Sequence, residues 1–152
     1  MIETVLLAAV LGVAAGGAGT DVARRIIPNL LCIGLGLVAA AYAYFSFGLG
    51  GLGSAAIHAL IALLVGMGLF AAGMIGGGDA KFYAAGALAV PLGSALAMLL
   101  WTVLSGFALL VVMVAGKQLL AKSGNSIAEL RKMELPYGVA IAAGLAVALL
   151  KY

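Results

Sequence analysis

Long apolar runs occupy most of this chain and limit what it can fold into more than any other feature. They cover about residues 3–19, 28–47, 54–75 and 135–151, together with one longer run, 82–116. A hydrocarbon core about 30 Å thick needs about 20 helical residues, with a range of about 17–25. Only 9% of the residues are charged, against about 25% in a soluble domain. The sequence therefore predicts an all-α, polytopic integral membrane protein.

The run 82–116 decides how many helices cross the membrane. As one helix it would be roughly 52 Å long, too long for one crossing and short for two. Pro91 offers a break, because proline is favoured in the first turn of a helix and disfavoured in its interior. We expect a short helix ending near Val90 and a second one starting near Ser94. This gives six transmembrane helices in a single domain, residues 1–152.

The basic residues predict the orientation, because Lys and Arg concentrate in cytoplasmic loops. With six crossings and the N-terminus outside, the loops 20–27, 76–81 and 117–134 face inward. They hold seven of the eight basic residues: Arg24, Arg25, Lys81, Lys117, Lys122, Arg131 and Lys132. The start Met1-Ile2-Glu3 lacks the basic residues of a signal peptide, so we expect a retained first helix. Small residues four apart, as in Gly12–Gly16 and Ala140–Gly144, are expected to pack helices within the chain.

Asp21 and Asp79 are the only aspartates, and each is predicted at the cytoplasmic end of an apolar run. An acid at membrane depth costs roughly 2.5–3.5 kcal/mol, which indicates a function. Two carboxyl groups in a low-dielectric site share a proton, so that one acts as base and the other as acid. That is the chemistry of an aspartic protease. The structural alternative is that Asp79 caps a helix starting near Ala80.

Other residues and other functions fit the pattern less well. His58 is the only histidine and is predicted at the opposite membrane face, where we expect it to pack. The single cysteine, Cys32, forms no zinc motif and is expected to pack as well. A small proton-coupled transporter would place its acids near the membrane midplane, and a scaffold subunit would use them only as helix caps. We expect no metal, cofactor or nucleic acid partner.

Several short motifs together resemble the type IV prepilin peptidases, which are aspartic membrane proteases of the GxGD class. Asp21 precedes Pro28-Asn29 by seven residues, and Gly76-Gly77-Gly78-Asp79-Ala80-Lys81 matches GxGDxK. Leu135-Pro136-Tyr137-Gly138 is similar to the family's proline-aromatic-glycine element. Presenilin-type GxGD proteases, the nearest enzymatic alternative, pair the motif with Tyr-Asp, whereas Thr20 precedes Asp21 here.

The resemblance implies a catalytic dyad of Asp21 and Asp79 that cleaves the leaders of prepilins and pseudopilins at the cytoplasmic face of the bacterial inner membrane. The small size is similar to the TadV/CpaA branch, whose substrates are Flp-type prepilins. Larger members carry paired cysteines and an N-methyltransferase activity, which we do not expect in this chain.

Supporting roles are expected for some neighbours of the two aspartates. Candidates for support or substrate binding are Gly76, Gly78, Lys81, Pro28 and Asn29. Arg24 and Arg25 are expected to contact anionic lipid. Ser126–Met133 is a candidate interfacial helix in the last inward loop, with Ser126 and Glu129 as a capping box.

Overall fold

The computed structural model describes residues 1–122 and 135–151, which form five α-helices and a short 3₁₀ turn and contain no strand. The helices are α1 (Ile2–Arg24), α2 (Asn29–Ala71), α3 (Gly77–Ala87), α4 (Ala95–Lys122) and α5 (Tyr137–Lys151), and the 3₁₀ turn is Leu92–Ser94. Three segments are long and apolar enough to cross a membrane: Ile2–Arg24, Asn29–Ala71 and Leu92–Gly116. The all-α prediction is confirmed for these residues, and the number of crossings and the orientation stay predictions. The candidate helix Ser126–Met133 lies outside the described residues.

Helix α2 reverses direction at Gly48, although its helical hydrogen bonding continues almost without interruption. Gly48 has φ 68° and ψ −170°, a backbone conformation that is essentially restricted to glycine. Cys32 and Leu63, each about 15 residues from Gly48, line the same groove. A straight helix would separate them by more than about 40 Å, so the halves 29–47 and 49–71 lie antiparallel. The two predicted helices are confirmed, but the predicted loop 48–53 is helical except at Gly48.

Helix α3 is short and lies in the centre of the molecule. It packs chiefly against α2 and also against α5 and α1. Phe82 is completely buried against Gly17 of α1, where a Cβ atom would come within 2.5 Å of the ring. On another face Gly86 contacts Leu145 of α5. These small residues let α1 and α5 approach α3 closely.

The far end of α3 is held by His58. The helix ends at Ala87, three residues before the predicted end near Val90, and tight turns continue the chain to Val90 and Pro91. His58 Nδ1 lies 2.9 Å from the Val90 carbonyl oxygen, and since a carbonyl only accepts, the ring nitrogen donates. Ser54 Oγ similarly accepts from the Leu92 N–H at 3.0 Å. His58 therefore packs at the end of α3 away from Asp79, as the sequence predicted.

Helices α4 and α5 are in close contact through small residues. A Cβ atom at Gly144 would lie 2.5 Å from Thr102 Cα, and Ala140 faces Gly106. This confirms the predicted packing of the Ala140–Gly144 pair within the chain. At Gly12 and Gly16, by contrast, a Cβ atom would meet no atom of the described residues within 4 Å. The prediction that this pair packs within the chain is therefore wrong.

Candidate active site

Asp21 lies on the last turn of α1. The helix continues to Arg24, and the chain leaves it through Arg25 in the left-handed conformation, with φ 56°. The Asp21 side chain is 7% exposed, although it sits at the end of the helix. The prediction that Asp21 lies in the loop 20–27 is wrong. The helix extends to Arg24, so the Asp21 carboxyl group is held by a helix and not by a loop.

Asp79 also lies on a helix and not in the predicted loop 76–81. Helix α3 begins five residues before the predicted start at Phe82, with Gly76 as its N-cap and Asp79 in its first turn. The proposed capping of a helix at Ala80 by Asp79 is therefore wrong. The carboxyl group folds back over Gly76, where a Cβ atom would lie 2.7 Å from Oδ2. Glycine at this position leaves the space that the carboxyl group occupies.

A single cavity of about 390 Å³ brings the two acids together. It is lined by Asp21, Arg25, Ile26, Ile27, Pro28, Asn29, Gly78, Asp79 and Lys81. All but one of the predicted site residues are in this lining, and the exception, Gly76, contacts Asp79 from behind. Residues from the end of α1, the start of α2 and the first turn of α3 thus converge, although the two aspartates are far apart in the chain.

The pKa of the Asp79 carboxyl is raised above its usual value. Burial is the main cause, since it disfavours the charged form, and the negative charge of Asp21 adds to the effect. The backbone N–H of Gly76 partly offsets both. Asp79 precedes the buried part of α3 and lies outside the three long apolar segments. Two acids that interact in this way can hold one proton between them.

Asp21 accepts a hydrogen bond from a residue that was not among the predicted site residues. The backbone N–H of Gly138 donates to Asp21 Oδ2 at 2.8 Å, and the bond is buried. Gly138 is the second residue of α5, which starts at Tyr137 as the Pro-Tyr-Gly element predicted. The Pro-Tyr-Gly element was visible in the sequence, but nothing in it predicted a contact between Gly138 and Asp21.

Lys81 and Asn29 form the side of the cavity. Lys81 Nζ donates to Asn29 Oδ1 at 3.4 Å, which links α3 to the start of α2. Both residues also line a second groove of about 500 Å³, whose other lining residues are Cys32, Ile33, Gly36, Ala59, Leu60, Leu63, Ala84, Ala85 and Leu88. A polar cavity with two acids therefore adjoins an apolar groove between α2 and α3.

The fold and the site define a helical membrane protein with one buried and one half-buried acid, which lie at the ends of two helices and line the same cavity. The chain belongs to the type IV leader peptidase family, whose model matches residues 5–112. The match includes both aspartates and ends within α4, before Gly138. This match confirms the predicted family. Membership of the family implies peptidase activity on prepilin-type substrates. The TadV/CpaA branch stays a prediction. No curated protein and no solved structure matched the chain.

Proposed function

We propose that this chain is an aspartic leader peptidase that uses Asp21 and Asp79 to cleave Flp-type prepilins and pseudopilins. The observation that carries the proposal is the convergence of both carboxyl groups on one cavity. The raised pKa of Asp79, caused by burial and by the charge of Asp21, is what a proton-sharing pair requires. Asp79 and Asp21 are therefore suited to supply one acid and one base.

The proposed reaction is the hydrolysis of one peptide bond by water. The ionised carboxylate removes a proton from water, whose oxygen attacks the scissile carbonyl carbon. The protonated carboxyl donates a hydrogen bond and its proton to the carbonyl oxygen, which gives a gem-diol. The C–N bond then breaks as a proton passes to the departing amine, and the products are a free leader and a mature pilin with a new N-terminus.

The apolar groove next to the cavity favours a substrate in which a hydrophobic segment follows the cleavage site. We propose that this segment lies along the groove with the scissile bond near Asn29 and Lys81, which belong to both spaces. Ile33 lines the groove and is 60% exposed, so a larger side chain there has room to fill it. We expect Ile33→Trp to raise the KM for leader cleavage several-fold with little change in kcat, because it removes substrate-binding surface. Leu37→Trp is the matched control, since Leu37 is on the same half of α2, is 69% exposed and does not line the groove.

The orientation that the basic residues predict agrees with the same proposal. With the N-terminus outside and six crossings, both aspartates face the cytoplasm of a bacterium, where leaders remain before export. The surrounding lipid is then the plasma membrane.

The test is co-expression with a small Flp-type prepilin, in which the mass of the substrate is read for wild type, Asp21→Asn and Asp79→Asn. Asparagine is close in shape to aspartate but cannot transfer the proton, so we expect each variant to lose cleavage by about 100-fold or more. Glu3→Gln, which changes an exposed carboxylate on α1, is the control and should cleave normally. Normal cleavage by either aspartate variant would remove that residue from catalysis. No cleavage by wild type with several prepilins would favour a transport or scaffold role.

A further inference from the structure

We propose that Gly138 is a positioning residue that holds Asp21 as the ionised, base member of the pair through its backbone N–H, so that the proton of the pair resides on Asp79. This inference rests on the proposed function, because it assigns the two roles within the same dyad. It also gives α5, which lies beyond the family match, a part in the chemistry.

The first argument is the hydrogen bond itself. An N–H group can only donate, so Asp21 Oδ2 must offer it a lone pair, and an anionic oxygen accepts more strongly than a neutral one. The bond is 2.8 Å long and buried, where little water competes. The ionised form of Asp21 therefore gains more from this contact than the protonated form.

The second argument is the place of Gly138 in α5. The first N–H groups of a helix have no partner within it, and the helix dipole adds positive potential there. Gly138 is the second residue of a 15-residue helix, and Asp21 satisfies its N–H. The carboxylate of one helix thus supplies the acceptor that another helix lacks.

The third argument is the contrast with Asp79. Asp79 is also in the first turn of a helix, and Gly76 offers its N–H. At Asp79, however, burial and the charge of Asp21 outweigh that N–H, and the pKa is raised. A raised pKa at Asp79 favours the proton of the pair on that carboxyl group, and the buried N–H of Gly138 offers Asp21 a donor that favours an anionic oxygen.

Charged and titratable groups from four elements lie around the pair. Helix α1 contributes Arg25 and α3 contributes Lys81, which both line the cavity. The start of α2 contributes the Cys32 thiol, which interacts electrostatically with Asp79, and the first turn of α5 contributes the exposed phenol of Tyr137. Arg25 and Lys81 line the cavity with both acids, so their charges favour an ionised carboxylate without selecting which one, and the Gly138 N–H is the contact that selects Asp21.

Glycine is needed at position 138 for steric reasons. A Cβ atom there would lie 3.0 Å from Asp21 Cβ, 3.1 Å from Asp21 Oδ2 and 3.1 Å from Ile27 Cδ1. These distances are shorter than ordinary contacts between carbon atoms, which are about 3.5–4.0 Å. A side chain would push the first turn of α5 away from Asp21 and lengthen the hydrogen bond.

The direct test is carboxyl NMR on protein labelled with ¹³Cγ aspartate, which gives two signals because the chain has only two aspartates. Asp21→Asn and Asp79→Asn assign them. At a pH where the pair holds one proton, we expect the Asp21 signal at the ionised position and the Asp79 signal at the protonated one. A protonated Asp21 signal, or two signals that shift together through the titration, would overturn the inference. This readout needs neither a substrate nor a variant at Gly138.

The second test removes only the N–H by placing glycolic acid at position 138, so that an ester replaces the amide. We expect kcat to fall about 10-fold, the acid limb of the pH profile to move to higher pH, and KM to stay within about twofold. The matched control is an ester at Val139, whose N–H donates to the Pro136 carbonyl at 3.1 Å and not to the site. It should leave the acid limb unchanged.

The two tests separate this inference from the proposed function. If Asp21→Asn and Asp79→Asn abolish cleavage but the ester at 138 leaves the acid limb in place, the dyad stands and the role of Gly138 is wrong. If wild type cleaves no prepilin, the proposed function fails, and the NMR measurement alone still shows which acid holds the proton.

Discussion

Asp79 is a carboxyl group that folding makes harder to ionise, and this predicts how stability varies with pH. Because its pKa is raised in the folded protein, the folded state binds the proton more tightly than the unfolded state. Stability must then fall as pH rises from about 4, the value for an unfolded aspartate, through the raised pKa, and the loss persists above it. Asp79→Asn keeps the neutral form at every pH, so we expect it to unfold at a higher temperature than wild type at pH 7 and to lack this part of the pH dependence.

The measurement is thermal unfolding in detergent between about pH 3.5 and 7.5, a range that begins below the pKa of an unfolded aspartate. Glu3→Gln removes an exposed carboxylate and should leave the pH dependence as it is in wild type. Equal unfolding temperatures for wild type and Asp79→Asn at pH 7 would contradict the prediction.

The sequence predicted the two acids of the site but not the Gly138 N–H that binds one of them. Asp21 and Asp79 stand out because charged residues are expensive in apolar surroundings, so composition alone draws attention to them. Gly138 contributes a backbone N–H, which every residue except proline has, and its partner is 117 positions away. Nothing in a local pattern encodes such a pairing, which only the packing of α1 against α5 creates.

At the scale of the element, the reversal of α2 depends on Gly48. Its dihedral angles are in a region that costs a residue with a side chain about 1–3 kcal/mol. We expect Gly48→Ala to destabilise the protein by that amount and to lower its unfolding temperature in detergent. Gly53→Ala is the control, because Gly53 is helical and exposed and a Cβ atom there meets nothing within 4 Å. A greater loss of stability in Gly53→Ala would contradict this account of the bend.

The close packing of α4 against α5 leads to a second prediction about the stability of a helix contact. A Cβ atom at Gly144 would come within 2.5 Å of the Thr102 backbone, and backbone atoms cannot move aside as a flexible side chain can. We expect Gly144→Ala to cost about 1–3 kcal/mol through overpacking. Gly12→Ala, on an open face of α1, should change stability by less than about 0.5 kcal/mol. Chemical denaturation in mild detergent measures both, and equal effects would show that the contact is not close.

The sequence predicted which elements exist better than where they begin. Proline marked the starts of α2 and α5 correctly, because its fixed φ and missing N–H restrict it to few places. Glycines misled at α3, since three in succession indicate a loop by propensity. Gly77 and Gly78 are nevertheless helical, and they pack against Phe70 and Ile27. Tertiary packing outweighs a penalty of about 1 kcal/mol per glycine.

At the scale of the whole molecule, the open question is how the chain is threaded through the membrane. A total of six crossings requires α3 to be one of the transmembrane helices, although its 11 residues span only about 16 Å. Enclosure by α1, α2 and α5 makes this possible, because lipid does not have to match its length. We expect the C-terminus to be outside, so that alkaline phosphatase fused there is active and a fluorescent protein fused there is dark.

A fluorescent protein inserted after position 122 should show the opposite behaviour, because the loop 117–134 is predicted to be cytoplasmic. Leader cleavage by each fusion serves as the control for folding. A fluorescent C-terminal fusion would place the C-terminus in the cytoplasm. The number of crossings would then be odd, and α3 would not be a transmembrane helix.

The hydrogen bond from Gly138 to Asp21 also has a consequence for how the enzyme is made. A ribosome releases both aspartates long before it releases α5, so a half-made chain contains the acids without the donor that sets their roles. On the proposed roles, the full rate of cleavage then requires α5 to insert and dock. A nascent chain that stops before α5 would carry both acids but cleave more slowly, so that the timing of synthesis limits premature proteolysis.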